Sequence, residues 1–82
     1  MSATSPATTA AVIRFTLRET AMTELDAFDL AGRKVGRPLA LQPQDAGSHE
    51  VTLSTKEWPA GCYLLRLAAG GVAHMRKIII VH

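Results

Sequence analysis

The sequence predicts an all-β sandwich of about seven antiparallel strands, and three observations carry that expectation. Short runs alternate apolar and polar residues with the period of two that gives a strand one buried and one wet face. Glycine or proline closes these runs at short intervals, the spacing of a sandwich or barrel of short strands. Aliphatic residues are abundant while aromatics number four, Phe15, Phe28, Trp58 and Tyr63, which suits a compact core better than a stacking platform.

Residues 1–9 are rich in Ser, Thr, Ala and Pro, carry no charged side chain and show no period, so they read as flexible linker, with the folded domain spanning residues 10–82. In the first strand Ile13, Phe15 and Leu17 alternate with Arg14, Thr16 and Arg18. Thr23, Leu25 and Ala27 alternate with Glu24 and Asp26 in the second. Phe28 and Leu30 then fall on the opposite phase, so a bulge or strand crossing near Ala27 and Phe28 is expected to keep both sets covered. Gly32 supplies a turn, and residues 33–41 return as a short strand broken by Pro38, which lacks an amide proton and belongs at a sheet edge. Residues 48–54 place Val51 and Leu53 on one face. The turn Trp58-Pro59-Ala60-Gly61 leads to a strand in which Tyr63, Leu65 and Leu67 alternate with Cys62, Leu64 and Arg66. Gly70 and Gly71 then form a hairpin connection to a last strand over residues 72–81.

That last strand ends in Ile78, Ile79, Ile80 and Val81, four β-branched residues in a row, so both of its faces are apolar. Either both faces are covered within the domain, or one meets a partner. A chain of 82 residues buries only roughly 60% of its unfolded surface, so an additional packing partner fits its size.

The composition argues against several function classes. The net charge of +2 is small and the Lys and Arg residues are scattered, which leaves no basic stripe for nucleic acid. Cys62 is the single cysteine, so an internal disulfide is ruled out, and in a strand it reads as an apolar filler, with a reactive thiol or an intermolecular bridge as the alternative. His49, His74 and His82 lack ligand spacing, and no nucleophile motif or phosphate-cradling loop is present, so neither a metal, a cofactor nor catalysis is expected. The start of the chain lacks the pattern of a signal peptide, so an export signal would have to lie upstream in a longer precursor.

Five pieces occur in a fixed order: Thr8-Thr9-Ala10-Ala11-Val12-Ile13-Arg14-Phe15, Phe28-Asp29-Leu30-Ala31-Gly32-Arg33-Lys34-Val35, Ala46-Gly47-Ser48-His49-Glu50-Val51, Pro59-Ala60-Gly61-Cys62-Tyr63-Leu64, and Arg76-Lys77-Ile78-Ile79-Ile80-Val81. Together they resemble the type A C-terminal sorting domain of the type IX (Por) secretion system. The resemblance runs from about Thr9 to His82 and implies an immunoglobulin-like sandwich that acts as an address rather than a catalyst. It also implies a passenger upstream, recognition by an outer-membrane translocon after transit through the periplasm, and delivery to the cell surface or medium. Removal by a sortase-like cysteine peptidase would follow, with the cut expected in residues 2–8.

The same resemblance singles out Asp29, Gly32, Arg33, Gly61, Tyr63, Arg66, Lys77, Ile78, Ile79, Ile80 and Val81 as the sorting motif. Each has a plainer structural reading. Asp29 can cap the Gly32 turn with Arg33 packed over it, and Gly61 can be a backbone necessity before Tyr63, whose hydroxyl then needs a partner. Arg66 and Lys77 are either solvated charges or recognition charges. The rival is a passive immunoglobulin-like module, like those of flagellar hook-capping proteins and extracellular hydrolases, which share the Asp-x-x-Gly-Arg turn and the Gly-x-Tyr strand. A sorting domain is expected to stop at its Lys-aliphatic strand, and an exposed strand edge is where two copies could pair.

Overall fold

A computed structural model describes residues 1–82. Seven strands, β1 (Ser2–Ala3), β2 (Ala10–Leu17), β3 (Ala21–Asp29), β4 (Lys34–Gln44), β5 (Gly47–Ser54), β6 (Gly61–Ala69) and β7 (Val72–Ile80), make up the fold. They form two antiparallel sheets, one ordered β1-β2-β5 and the other β4-β3-β6-β7. The sheets pack as the expected immunoglobulin-like sandwich, with a core drawn from alternate residues of each inner face.

The period-two pattern selects that core. Ile13 and Phe15 of β2, Thr23, Leu25 and Ala27 of β3, and Tyr63, Leu65 and Leu67 of β6 are all buried. Thr23 satisfies its buried hydroxyl by donating to the Ala21 carbonyl at 3.0 Å. Gly70 and Gly71 take φ of 56° and 83°, the two positive values that a two-residue type I′ hairpin demands between the paired Ala69 and Val72.

Residues 1–9 behave differently from the expected linker. Ser2 and Ala3 pair with Arg14 and Ile13 of β2, while Ala7 forms a parallel bridge to Ile80 of β7. The Ala7 amide donates to the Ile79 carbonyl at 2.8 Å, and the Val81 amide donates to the Ala7 carbonyl at 2.9 Å. Ala7 is 1% exposed, inside the core. Thr55, also buried, donates its amide to the Thr9 carbonyl and its hydroxyl to the Thr8 carbonyl. The segment therefore ties both sheets together, and its small uncharged residues are what allow it to lie so close to them.

The predicted irregularity near Ala27 and Phe28 is present, but on the neighbouring strand. β3 runs against β6 without a break from Thr23↔Ala69 to Asp29↔Tyr63. Its pairing with β4 shifts register at three places, and each time the extra residue lies on β4. Phe28 is half-buried on the outer face of the sheet, whereas Leu30 lies in the turn and is left exposed. β4 is an edge strand, as Pro38 requires, yet it is one strand of 11 residues and not a short broken one. Pro38 falls between the paired residues Gly36 and Leu39, where the bulge removes the need for its amide. An edge interrupted in this way is a poor template for another strand.

Candidate recognition surface

The β3–β4 turn is organised by Asp29. Its Oδ1 accepts the amides of Ala31 and Arg33, both at 2.9 Å, and its Oδ2 accepts Arg33 Nε at 2.9 Å. The Asp29 amide donates to the Arg33 carbonyl, the Gly32 amide donates back to the Asp29 carbonyl, and Gly32 takes φ of 85°. Capping by Asp29 is thus in place, and the Arg33 guanidinium lies over the turn while remaining largely in solvent. The Arg33 amide, with help from its guanidinium and against some desolvation, holds the Asp29 carboxyl below its ordinary value.

A carboxyl depressed in this way contributes stability that is complete above its unfolded value, about 3.9, and is lost as the pH falls through the lower folded value. Denaturant titrations across the acid range should therefore show the wild type losing stability below pH ~4 more steeply than Asp29→Asn. Identical acid dependence in the two proteins would mean that the turn does not hold the carboxylate.

Tyr63 follows Gly61 at the start of β6, and Gly61 has φ of 150°. The Tyr63 hydroxyl donates to the Pro59 carbonyl four residues back, and its ring lies 4.9 Å from that of Trp58. This anchors the β5–β6 connection to the core. His82 Nε2 lies 2.6 Å from the Trp58 carbonyl, so the end of the chain rests on the same connection.

Register brings most of the predicted motif to one end of the four-stranded sheet. Asp29, Tyr63 and Ile78 form one row across β3, β6 and β7, and Gly61 pairs with Ile80. Gly32 and Arg33 sit in the turn at that end, and Ile79 and Val81 alternate with the buried pair. Ile78 and Ile80 are core residues, at 0% and 1% exposure, whereas Ile79 and Val81 are 41% and 40% exposed. One face of the apolar tail is thus covered within the domain and the other is open.

Arg66 and Lys77 lie on the outer face of the same sheet, Lys77 one row and Arg66 three rows in from the Asp29–Tyr63–Ile78 row. Arg66 is paired with Met75 and Asp26, and its Nη1 approaches Glu24 at 3.7 Å. Lys77 is exposed, pairs with Leu64 and belongs to no ion pair. The outer face also carries residues that sequence reasoning did not single out for recognition. Phe28, Leu64 and Cys62, all half-buried, lie in rows with Lys77 and Ile79 and extend the open apolar surface. Alternation alone could have placed them together once β3, β6 and β7 were known to be neighbours.

Asp26, expected on a wet face, is instead 3% exposed. Arg37 Nε donates to its Oδ1 at 2.8 Å, and Lys34 Nζ lies 3.6 Å away. Arg37 also approaches Glu24 at 3.8 Å, and its hydrogen bond to Asp26 raises its already high pKa. These groups form a structural charge cluster across β3, β4 and β6, with the stems of the cations covering the carboxylate. No group of three or more His, Cys, Asp and Glu side chains could hold a metal ion.

A family model described as a secretion system C-terminal sorting domain matches residues 5–81. The chain belongs to that family. The matched span takes in Ala7 as well as β2 to β7, so the family pattern includes part of the segment that composition alone assigns to linker. No curated protein and no solved structure matches the chain significantly. Membership makes the chain a C-terminal sorting signal of the type IX (Por) system, which implies a passenger upstream and export of that passenger to the cell surface or medium. The family is one of addresses and not of enzymes.

Proposed function

We propose that this sorting domain carries its passenger through the outer-membrane translocon of the type IX system and is then removed by that system's sortase-like cysteine peptidase. The passenger first crosses the inner membrane on its own N-terminal signal and passes through the periplasm. The match over residues 5–81 carries this reading. Recognition uses the open outer face at one end of the four-stranded sheet, with Ile79 and Val81 as apolar contacts, Lys77 and Arg66 as flanking charges, and the Asp29–Arg33 turn as its border. Gly61, Tyr63, Ile78 and Ile80 hold that face in shape from beneath. Cleavage falls within residues 2–8, and because that segment is bonded to β2 and β7, it must disengage before a peptidase can bind it as an extended strand.

The test fuses residues 1–82 behind an exported fluorescent protein in a host with a type IX system, beside a strain lacking the translocon and a fusion ending at Gly71. Delivery to the surface or medium by the full fusion alone, with the other two accumulating in the periplasm, is the expected result. Periplasmic retention of a stable full-length fusion would overturn the reading and leave a passive immunoglobulin-like module.

A further inference from the structure

The three-stranded sheet is incomplete along one side. β2 pairs with β5 over its whole length, but β1 covers only Arg14 and Ile13 on its other side. Val12 turns both backbone groups toward the β1 side, accepting the Thr4 amide at its carbonyl and donating its own amide to Thr4 Oγ1. Alternation along a strand gives Arg14 and Thr16 the same direction. Arg14 meets Ser2 there, while the Thr16 amide and carbonyl meet no strand. Below that edge lies an open groove lined by Met1, Phe15, Leu17, Leu67, Val72 and His74, with Val72 57% exposed. β1 lies beside β7 of the opposite sheet, so the groove continues the position that β1 already occupies.

We infer that the polypeptide joining the passenger to Met1 extends β1 and adds itself to the free edge of β2. This rests on the family assignment, which places a passenger upstream. The existing register fixes the geometry. Since Ser2 pairs with Arg14, Met1 stands opposite Phe15, the residue before Met1 opposite Thr16, and the one before that opposite Leu17. The residue opposite Thr16 exchanges both backbone hydrogen bonds with it and points its side chain to solvent. The residue opposite Leu17 points inward and covers the exposed Val72. The segment is therefore an extended strand with an apolar residue two places before Met1 and no proline immediately before it. Because it is covalently joined to β1 in the correct register, it occupies the edge at a high effective concentration, which favours it over any segment in trans. The passenger junction thereby becomes part of the sorting domain's fold.

The test is hydrogen exchange at the Thr16 amide in three purified proteins: the 82-residue chain, the chain preceded by Gly-Thr-Val-Thr, and the chain preceded by Gly-Thr-Val-Pro. The first extension should slow exchange at Thr16 at least tenfold at every protein concentration, and the proline, which has no N–H for the Thr16 carbonyl and so unseats the strand whose carbonyl accepts the Thr16 amide, should abolish most of that protection. Protection at Leu65 in the core reports that each protein is folded. Unchanged exchange at Thr16 would overturn the inference, and so would protection that rises with protein concentration, since a second copy would then be the occupant. The measurement involves no secretion, so its failure leaves the sorting function standing.

Discussion

A passenger fusion carrying Ile79→Ser is expected to remain folded and yet to lose at least tenfold of its type IX delivery, whereas Ile78→Ala loses a large share of the domain's stability. The two residues are neighbours in β7 with opposite fates, 0% exposed at Ile78 and 41% at Ile79. Truncating a fully buried isoleucine to alanine costs roughly 2–5 kcal/mol, through lost burial and the cavity left behind. A domain of this length has about 4–12 kcal/mol of total stability, at roughly 0.05–0.15 kcal/mol per residue, so Ile78→Ala removes a large share of it. Changing a partly exposed position such as Ile79 costs about 1 kcal/mol or less, and the melting temperature should fall by only a few degrees. Any large loss of delivery in Ile79→Ser then belongs to recognition. Normal delivery of a folded Ile79→Ser, Val81→Ser double variant would sink the assignment of the outer face, while a melting temperature lowered as far as that of Ile78→Ala would show that both faces of the tail are structural.

The contrast between these positions also shows what the sequence could and could not reveal. Alternation assigned Thr23, Leu25 and Ala27 and then Tyr63, Leu65 and Leu67 to the core, because one polar or small residue separates each inward residue from the next for most of those strands. Four β-branched residues in succession contain no such period, so which pair of Ile78 to Val81 faces inward depends on the register with β6. Asp26 was unreadable for another reason: its face is the outer one, and it is buried by the side chains of Arg37 and Lys34 reaching across from an edge strand whose bulges no local pattern encodes. Within the motif, the Asp29 cap and the Tyr63 anchor follow from local chemistry, since both bonds close within four residues. The gathering of Asp29, Gly61, Tyr63 and Ile78 at one end of the sheet follows from long-range pairing instead.

The least legible element, the N-terminal segment, carries the second large expected effect. Ala7→Asp should lower the melting temperature by roughly 10 °C or more, corresponding to about 2–3 kcal/mol for a domain of this size, while Thr8→Asp, at an exposed neighbouring position, should be close to neutral. Ala7 is 1% exposed and packs in the cluster that contains Ile80, so a carboxylate there must be desolvated without a cation to meet it. The protein has one escape, which is to release residues 5–7 from β7. That release sacrifices the hydrogen bond from the Ala7 amide to the Ile79 carbonyl and the one from the Val81 amide to the Ala7 carbonyl, and it uncovers Ile80. Either route destabilises the domain, but release has an added signature: the segment around residues 5–7 becomes an accessible strand, and a general protease should nick Ala7→Asp there many times faster than the wild type. On the proposed removal by a sortase-like peptidase, the same variant should also be cut faster there, since disengagement of this segment precedes cleavage. A melting temperature within about 2 °C of the wild type, where one kcal/mol corresponds to roughly 4–8 °C, would instead mean that residues 1–9 are an unpacked tether and that the peptidase meets them already extended.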